Sequence, residues 1–221
     1  MTAKILIVDG NPLVRFGLRK LLEQEEDISL CEDAVDGNEG LKQIAKCKPD
    51  LMIVDIDIET SWGIDFIRYV KEEFNDIRIL VFSFLDETIY AERVLRAKAN
   101  GFLSKNEQCD KILLGIRSVL HGGLCLSASV QKQIIDKLSY EKKHLSPIDS
   151  LSNRELQILE LLSQGLKPSQ VAESLHLSSK TVENYRSNLR FKLKLNSAAE
   201  LYHYAIEWKK SLRSEEMASI Y

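Results

Sequence analysis

The stretch Lys4-Ile5-Leu6-Ile7-Val8-Asp9 is a short apolar run that ends in an acid, and Leu51-Met52-Ile53-Val54-Asp55 repeats this pattern. Apolar runs of this length are typical of strands that a parallel sheet buries on both faces. Amphipathic stretches that favour helices separate such runs up to about residue 120. This alternation predicts right-handed βαβ crossovers and a doubly wound parallel sheet of five strands. The predicted strands are Lys4–Asp9, Ile28–Glu32, Asp50–Asp55, Ile77–Ser83 and Gly101–Ser104, and the predicted helices are Leu13–Glu25, Asn38–Cys47, Ile64–Phe74, Glu87–Ala97 and Gln108–His121.

The rest of the chain reads differently, because its apolar residues follow only a helical period. Ser127–Lys143 predicts a linker helix, and His144–Ser150 contains Ser146-Pro147, which breaks it. Ser152-Asn153-Arg154-Glu155 forms a capping box in front of a helix with the apolar residues Leu156, Leu159 and Leu162. Further helices are expected over Ser179–Leu193 and Ser197–Trp208. We therefore predict a first domain at 1–123, a linker helix and loop at 124–150, an all-α domain at 151–210 and a polar, fraying tail at 211–221.

Composition and charge narrow the functional classes. With 221 residues, 44% of them hydrophobic and 29% charged, the chain has the composition of a globular protein. The longest apolar runs are four residues and the first residues do not resemble a signal peptide, so we expect no membrane span and a cytoplasmic location. Residues 1–130 carry 16 Lys and Arg against 22 Asp and Glu, whereas residues 131–221 carry 14 against 11. An acidic front half and a locally basic rear segment indicate a division of labour, with nucleic acid as the candidate partner at the rear.

The four cysteines give no sign of a metal site. Cys31, Cys47, Cys109 and Cys125 include no C-x-x-C pair and no histidine at metal-binding spacing. We expect them to be reduced and mostly buried thiols.

Polar residues follow four of the predicted strands at the point where each strand ends. Asp9, Asp55, Ser83 and Lys105 come after the first, third, fourth and fifth strands, respectively. In an open parallel sheet, ligands bind beyond these carboxyl ends. Taken alone, each residue is more often a cap, a turn residue or a solvated charge. Together, two carboxylates, a hydroxyl and an ammonium can bind Mg²⁺ and accept a phosphoryl group on a carboxylate.

The same strand-end stretches, Ile5–Asp9, Asp50–Asp55, Leu80–Ser83 and Gly101–Lys105, resemble the receiver domain of bacterial two-component response regulators over residues 3–122. The resemblance implies a flavodoxin-like fold. It makes Asp55 the phosphoacceptor and Lys105 the lysine that binds phosphoryl oxygen. It also implies a Mg²⁺ site at Asp9, Asp55 and Asp57, the last through its backbone carbonyl, and a switch that consists of the hydroxyl of Ser83 and the ring of Phe102.

This sequence departs from the receiver pattern at several positions. Receivers usually carry two adjacent acids after the first strand, and here the second is Gly10. Ile58-Glu59 replace the usual Met-Pro, and Trp62 replaces the usual acid before Gly63. Because Gly10 removes one carboxylate from the Mg²⁺ site, two modes of control stay open: phosphorylation of Asp55, or dimerisation and partner binding without phosphorylation.

One motif of this segment is also found in a class of enzymes. Asp55-Ile56-Asp57 resembles the D-x-D nucleophile motif of haloacid-dehalogenase-type phosphatases, in which the first acid attacks and the second is a general acid. The motif normally follows the first strand of its domain, and here it follows the third. We therefore expect no enzyme, and the phosphatase is a remote alternative.

Residues Leu151–Trp208 resemble the C-terminal helix-turn-helix domain of NarL/LuxR-type regulators, through Leu151–Glu155, Leu162–Leu166, Leu177-Ser178 and Lys180–Asn184. The helical period of Ser179–Leu193 assigns Val182, Tyr185, Leu189 and Leu193 to the core. The opposite face is expected to enter the major groove of DNA, and Arg186, Arg190, Lys192 and Lys194 are expected to contact phosphates. The predicted DNA-binding residues are Lys180, Thr181, Glu183, Asn184, Arg186, Ser187, Asn188, Arg190 and Lys192.

The combined prediction is a bacterial transcription regulator with a receiver, a linker helix and a DNA-binding domain. Its expected partners are double-stranded DNA, a second copy of the chain and, as phosphodonor, a sensor histidine kinase. The apolar strip Leu201, Tyr204 and Trp208 is a candidate dimer contact, with packing inside its own domain as the alternative. The runner-up is a protein-interaction module whose degenerate receiver binds a partner protein.

Overall fold

The computed structural model describes residues 2–57, 63–139 and 147–218. The chain divides into two compact units, Met1–Ile134 and Ile135–Tyr221. The first contains five strands, β1 (Ala3–Val8), β2 (Ile28–Leu30), β3 (Leu51–Val54), β4 (Arg78–Ser83) and β5 (Gly101–Ser104), with the helices α1 (Pro12–Leu22), α2 (Gly37–Cys47), α3 (Gly63–Glu73), α4 (Glu87–Arg96) and α5 (Cys109–Leu120).

The strands form one parallel sheet in the order β2-β1-β3-β4-β5. This order confirms the predicted doubly wound fold, and it places the reversal of strand order at β1 and β3, where such folds bind their ligands. All four residues of β3 are buried, as expected for a strand covered on both faces. Asp9 and Asp55 therefore stand side by side at the carboxyl ends of two paired strands.

A short segment after α5 lies along the free edge of β5. The N–H of Phe102 donates to the carbonyl of Cys125 at 2.8 Å, and Cys125 donates in turn to Asn100 at 3.0 Å. A Cβ at Gly101 would collide with the backbone of Cys125, so this close approach requires glycine. The segment thus covers backbone groups of β5 that an edge strand would otherwise expose.

One cysteine expectation is wrong. Cys31, directly after β2, and Cys47, the last residue of α2, are joined by a disulfide with Cα atoms 6.0 Å apart. Cys109 is a free thiol on the surface and Cys125 is a free buried thiol. The spacing of 16 residues between Cys31 and Cys47 did not indicate a disulfide, because β2 and α2 come together only in the fold.

The second unit is helical. Its elements are α6 (Ala128–Ser139), in which the boundary between the units falls, a 3-10 helix (Pro147–Ser150), α7 (Asn153–Ser163), α8 (Pro168–Ser174), α9 (Ser179–Leu193) and α10 (Ala198–Ala218). The predicted capping box is present, since Ser152 Oγ accepts from the N–H of Glu155 and the Glu155 carboxylate accepts from the N–H of Ser152. The predicted linker helix extended to Lys143, but residues 140–146, with the break at Ser146, lie outside the described residues.

The last helix is longer than expected. It continues to Ala218, through residues that were expected to fray, because neither glycine nor proline interrupts the chain after Trp208. Within the described ranges, no helix combines the length and apolar character that a bilayer crossing needs.

Candidate functional site

The structure brings the four predicted strand-end residues together in one pocket. Asp9 follows β1 and Asp55 follows β3, and both carboxylates are buried together with Ser83, the last residue of β4. Ser83 Oγ donates to Asp55 Oδ1 at 2.7 Å. Parallel strands end at the same edge, so residues far apart in the chain become neighbours there.

Lys105 connects the two acids of this pocket. Its Nζ lies 2.7 Å from Asp9 Oδ2 and also makes a short ion pair with Asp55 Oδ2, and only 3% of the lysine side chain is exposed. An ammonium buried between two carboxylates compensates charges that would otherwise be costly to remove from water. We call the set Asp9, Asp55, Ser83 and Lys105 the phosphoryl pocket.

The two acids of the phosphoryl pocket differ in their surroundings. Burial raises the pKa of Asp9 above its ordinary value, although hydrogen bonds from Lys105 and from the N–H of Asn11 favour the ionised form. Asp55 Oδ1 accepts the N–H of Asp57 at 3.0 Å in addition to the hydroxyl of Ser83. Both oxygens of the Asp55 carboxylate are therefore held in place by donors.

Gly10 leaves open space beside the phosphoryl pocket. It is exposed, and among the described residues a Cβ there would meet only the carbonyl oxygen of Val35, at 3.9 Å. Among the described residues, no cluster of three or more His, Cys, Asp or Glu side chains is arranged to hold a metal. The oxygen donors of the pocket are carboxylates, which are the ligands that Mg²⁺ prefers. Because position 10 is glycine, the pocket has one carboxylate fewer than it would have with an acid there.

Two residues beside the phosphoryl pocket escaped the sequence analysis. Arg15 Nη1 donates to the backbone carbonyl of Asp9 at 2.6 Å. The ring of Phe84 lies with its centroid 5.3 Å from Lys105 Nζ, although 62% of the residue is exposed. The position of Phe84 directly after Ser83 was the available signal; Arg15 gave none, because a helical arginine usually points to solvent.

The remaining predicted residues of the first unit have different environments. The predicted switch aromatic, Phe102, is buried, with 1% of its surface exposed. Asp57 is exposed, and its backbone N–H donates to Asp55 Oδ1. Ile58, Glu59 and Trp62, the other departures from the receiver pattern, lie outside the described residues.

The face of α9 that was predicted to meet DNA is exposed to solvent. Val182, Leu189 and Leu193 are buried and Tyr185 is half-buried, which leaves a polar stripe on the other side. We call this stripe the reading face. Its exposed members are Lys180, Glu183, Asn184, Ser187 and Asn188.

Several of the predicted DNA-binding residues also make contacts within the second unit. Arg186 forms an ion pair with Glu183 at 2.5 Å and lies over the ring of Tyr202, and only 11% of its side chain is exposed. Lys192 Nζ lies 2.6 Å from the buried carboxylate of Glu155. The hydroxyl of Thr181 lies 2.7 Å from that of Ser178, the N-cap of α9.

Arg190 is half-buried and reaches Ser187 Oγ at 3.4 Å. Phe191, which the sequence did not indicate as a DNA-binding residue, is 86% exposed and continues the reading face by one turn. The apolar strip of α10 is in part internal, because Leu201 is fully buried in its own unit while Tyr204 and Trp208 are half-buried.

Comparisons with known families give two matches along the chain. The family described as response regulator receiver domain matches residues 5–117. The family described as bacterial regulatory proteins of the luxR family matches residues 149–205. The two matched segments contain the phosphoryl pocket and the reading face, respectively.

Two relatives match this chain over more than nine-tenths of its length. The chain is 31% identical to the oxygen regulatory protein NreC of Staphylococcus epidermidis, over 93% of this chain and 98% of the relative. It is also 31% identical to the response regulator UvrY of Escherichia coli, over 91% and 93% of the two chains. Among solved structures, RcsB of Salmonella enterica serovar Typhimurium bound to the promoter P1flhDC with the phosphomimetic BeF3⁻ has a TM-score of 0.61 at 23% identity, over 93% of this chain and 98% of RcsB. At that identity the RcsB likeness concerns the fold.

Proposed function

Because this chain belongs to the LuxR-type response regulators, the DNA-binding transcription regulators of two-component systems, we propose that phosphorylation of Asp55 controls how the reading face of α9 binds DNA. The observation that carries the proposal is the buried convergence of Asp55, Ser83 and Lys105. A hydroxyl and an ammonium placed on the two oxygens of a carboxylate are the groups that phosphoryl transfer to this carboxylate requires.

The transfer uses the side chains of the phosphoryl pocket. An oxygen of Asp55 attacks the phosphorus of the donor, whose leaving group departs, and an aspartyl phosphate forms. Lys105 and Ser83 then neutralise and orient the phosphoryl oxygens. Their present distances to Asp55 place both within reach of a group attached there. A sensor histidine kinase is the proposed physiological phosphodonor.

Mg²⁺ is the proposed cofactor, held by the carboxylates of Asp9 and Asp55 and by the backbone carbonyl of Asp57. When bound, it supplies positive charge to the transferring phosphoryl group. With Gly10 in place of a second acid, we expect weak binding of this ion. Asp9 is already engaged by Lys105 at 2.7 Å, which lowers the net negative charge available to a cation.

A second mode of control is favoured by one specific observation. Position 10 supplies no carboxylate, and Lys105 already satisfies both pocket acids. A receiver in this state can serve as a dimerisation or partner-binding unit without a phosphoryl group. In both modes the output is DNA binding, and it does not depend on turnover of a substrate.

The DNA-binding part of the proposal rests on the exposed reading face. Asn184 and Glu183 carry the groups that recognise adenine and cytosine edges, and Lys180 and Arg190 are proposed to contact phosphates. One such unit reads a short half-site. We therefore propose that a dimer binds two half-sites about one helical turn apart.

The test is the intact mass of the full chain after incubation with Mg²⁺ and acetyl phosphate, together with duplex-DNA binding in the same samples. We expect one phosphoryl adduct, a changed affinity for DNA, and neither effect in Asp55→Asn. Asp65→Asn is the matched control, because Asp65 is an exposed acid on α3 with 67% of its side chain accessible. DNA binding without an adduct would reject phosphorylation and support the second mode.

A further inference from the structure

We propose that Cys31 and Cys47 form a reversible redox site, a thiol pair that a low-molecular-weight disulfide such as oxidised glutathione converts into the cross-link between β2 and α2. This inference goes beyond phosphorylation and DNA binding. Its basis is a pair of cysteines that the fold brings to a Cα separation of 6.0 Å, within the range of disulfides. The other two cysteines, Cys109 and Cys125, remain free thiols.

The two members of the pair differ in accessibility, and this difference assigns their roles. Cys31 is 5% exposed, so a disulfide reagent does not reach it directly. Cys47 is half-buried at the end of α2. The order of reaction is therefore Cys47 first, as the attacking thiol, and Cys31 second, as the resolving thiol.

Three lysines lie close to Cys47, and one of them, Lys46, pairs with the carboxylate of Glu32. Lys46 and Lys48 are its exposed neighbours in sequence, and Lys4 Nζ donates to its backbone carbonyl at 3.5 Å. Positive charge beside a thiol favours the thiolate, which is the nucleophile in thiol–disulfide exchange.

The exchange takes place in two steps. The Cys47 thiolate attacks one sulfur of oxidised glutathione, the reagent's S–S bond breaks and one glutathione thiolate leaves. The Cys31 thiolate then attacks Cys47 Sγ in the mixed disulfide and expels the second glutathione. The two cysteines are oxidised, the reagent is reduced, and the two protons released by the cysteines end on the two glutathione molecules.

The cross-link is connected to the phosphoryl pocket through the backbone that follows β2. The N–H of Cys31 donates to the carbonyl of Ile5, and three residues later Ala34 accepts from the N–H of Asp9 at 3.0 Å. The backbone that carries Cys31 therefore runs along β1 as far as the pocket acid. In the reduced protein, the ion pair between Glu32 and Lys46 still joins this segment to α2, but it is exposed and contributes little.

The expected consequence is a receiver whose stability depends on the redox state. A bond that closes a loop of 16 residues limits the unfolded chain and raises the melting temperature, by about 10 °C for a unit of this size. In the reduced state, the end of α2 is no longer tied covalently to the segment that follows β2.

The experiment uses the full chain with Cys109→Ser, which removes the exposed free thiol. The protein is reduced with dithiothreitol, freed of reductant and incubated with oxidised glutathione, and then thiol titration, intact mass, peptide mapping and thermal unfolding are measured. We expect the loss of two thiols, a peptide in which Cys31 is linked to Cys47, no retained glutathione, and reversal by dithiothreitol. Retention of both thiols, or equal melting temperatures in the two states, would overturn the proposal.

Two variants separate the roles of the pair. Cys31→Ser leaves the attacking thiol without its resolving partner, so one glutathione is expected to remain on Cys47. Cys47→Ser leaves only the buried thiol, and no glutathione adduct is expected there. Adducts on Cys31 in the second variant would reverse the assignment and contradict the order proposed here. Because these readouts do not involve DNA or a phosphodonor, they are independent of the proposed function.

Discussion

The phosphoryl pocket and the reading face of α9 use polar residues in opposite ways. In the pocket, folding itself pairs the charges, and Lys105 touches Asp9 and Asp55 where almost no water reaches. On the reading face, Lys180, Asn184 and Asn188 point to solvent. Charges in the first site therefore contribute to stability before any ligand binds, whereas those in the second become important when DNA arrives. Substitutions in the two places should differ accordingly.

The largest effect is expected from removal of the ammonium in the pocket. Lys105→Met keeps the length of the side chain but leaves two buried carboxylates without a cation, and it should lower the free energy of unfolding by about 3 kcal/mol at pH 7. Burial already raises the pKa of Asp9, and without the hydrogen bond and charge of Lys105 this pKa rises further above its value in the unfolded chain. The variant therefore loses stability as the pH rises, and its deficit should shrink between pH 7 and pH 5.

Calorimetric unfolding of the receiver transition measures this deficit. Lys111→Met is the matched control, since Lys111 lies on α5 with 63% of its side chain exposed and pairs only with Glu107 at the surface. Its effect should stay within about 0.5 kcal/mol. Equal losses in the two variants would mean that the pocket charges do not support the fold.

The second-largest effect is expected at Glu155, a buried residue of α7 that contacts Lys192 of α9. Glu155 is 3% exposed, and Lys192 and the cap at Ser152 hold its carboxylate. Burial raises the pKa of Glu155, but these hydrogen bonds outweigh it and keep the pKa below its ordinary value. Glu155→Gln should lower the free energy of unfolding of the second unit by about 2 kcal/mol at pH 7.

The sign of the pH dependence follows from this lowered pKa. The contribution of Glu155 is complete above its unfolded value near 4.5 and disappears as the pH falls through the folded value. The difference between Glu155→Gln and the parent, measured by urea unfolding, should therefore be larger at pH 7 than at pH 4. Glu183→Gln, at an exposed acid of the reading face, serves as the control and should change the stability little. A pH-independent difference would contradict the role of the charge.

The sequence predicted those site residues whose positions follow from the topology of the sheet or from the period of one helix. It did not predict contacts between side chains of different elements. The strand ends at Asp9, Asp55, Ser83 and Lys105 were predictable, because a parallel sheet brings all its carboxyl ends to one edge. The side chains that surround them were not, since the contact of Phe84 with Lys105 depends on a rotamer rather than on a repeat.

In the second unit the helical period separated Val182 and Leu189 from the reading face correctly. It did not predict that Arg186 would lie over Tyr202 or that Lys192 would reach Glu155, because those partners come from α10 and α7. The disulfide between Cys31 and Cys47 was missed for the same reason. A pattern along one element reports which face is apolar, and it contains no information about which residue of another element lies opposite.

The third prediction concerns the open space at Gly10. Gly10→Asp adds the acid that receivers usually carry there, and the single neighbour at 3.9 Å leaves room for it. We expect the affinity for Mg²⁺ to rise between roughly 10- and 100-fold, because a hard cation gains a third carboxylate. Isothermal titration of Mg²⁺ measures this change. Gly17→Asp is the matched control, since Gly17 is also exposed with nothing near its Cβ, but lies on α1.

An unchanged Mg²⁺ affinity in Gly10→Asp would show that Lys105 keeps the pocket closed to cations. The pocket would then be an ion cluster with a structural role only. Control of DNA binding would have to come from dimerisation or from a partner.

The smallest effects are expected on the DNA-binding side of α9, because its side chains contribute little to the free energy of unfolding. Arg190→Ala should weaken binding to all duplex sequences by roughly fivefold at low salt and reduce the slope of log K against log salt by about one, because one phosphate contact is lost. Asn184→Ala should leave that slope unchanged and relax the preference at one base pair by about 1 kcal/mol, as expected for lost contacts to a base edge.

Selection of bound duplexes from a random library, followed by titrations at several salt concentrations, measures both quantities. Neither variant should change the free energy of unfolding by more than about 0.5 kcal/mol, since Asn184 is exposed and Arg190 makes only a long contact with Ser187. If the two variants changed specificity equally, the division of α9 into base-reading and phosphate-binding residues would be wrong. If either destabilised the unit as strongly as Glu155→Gln does, the contrast between a charge-paired interior and a ligand-dependent surface would no longer hold.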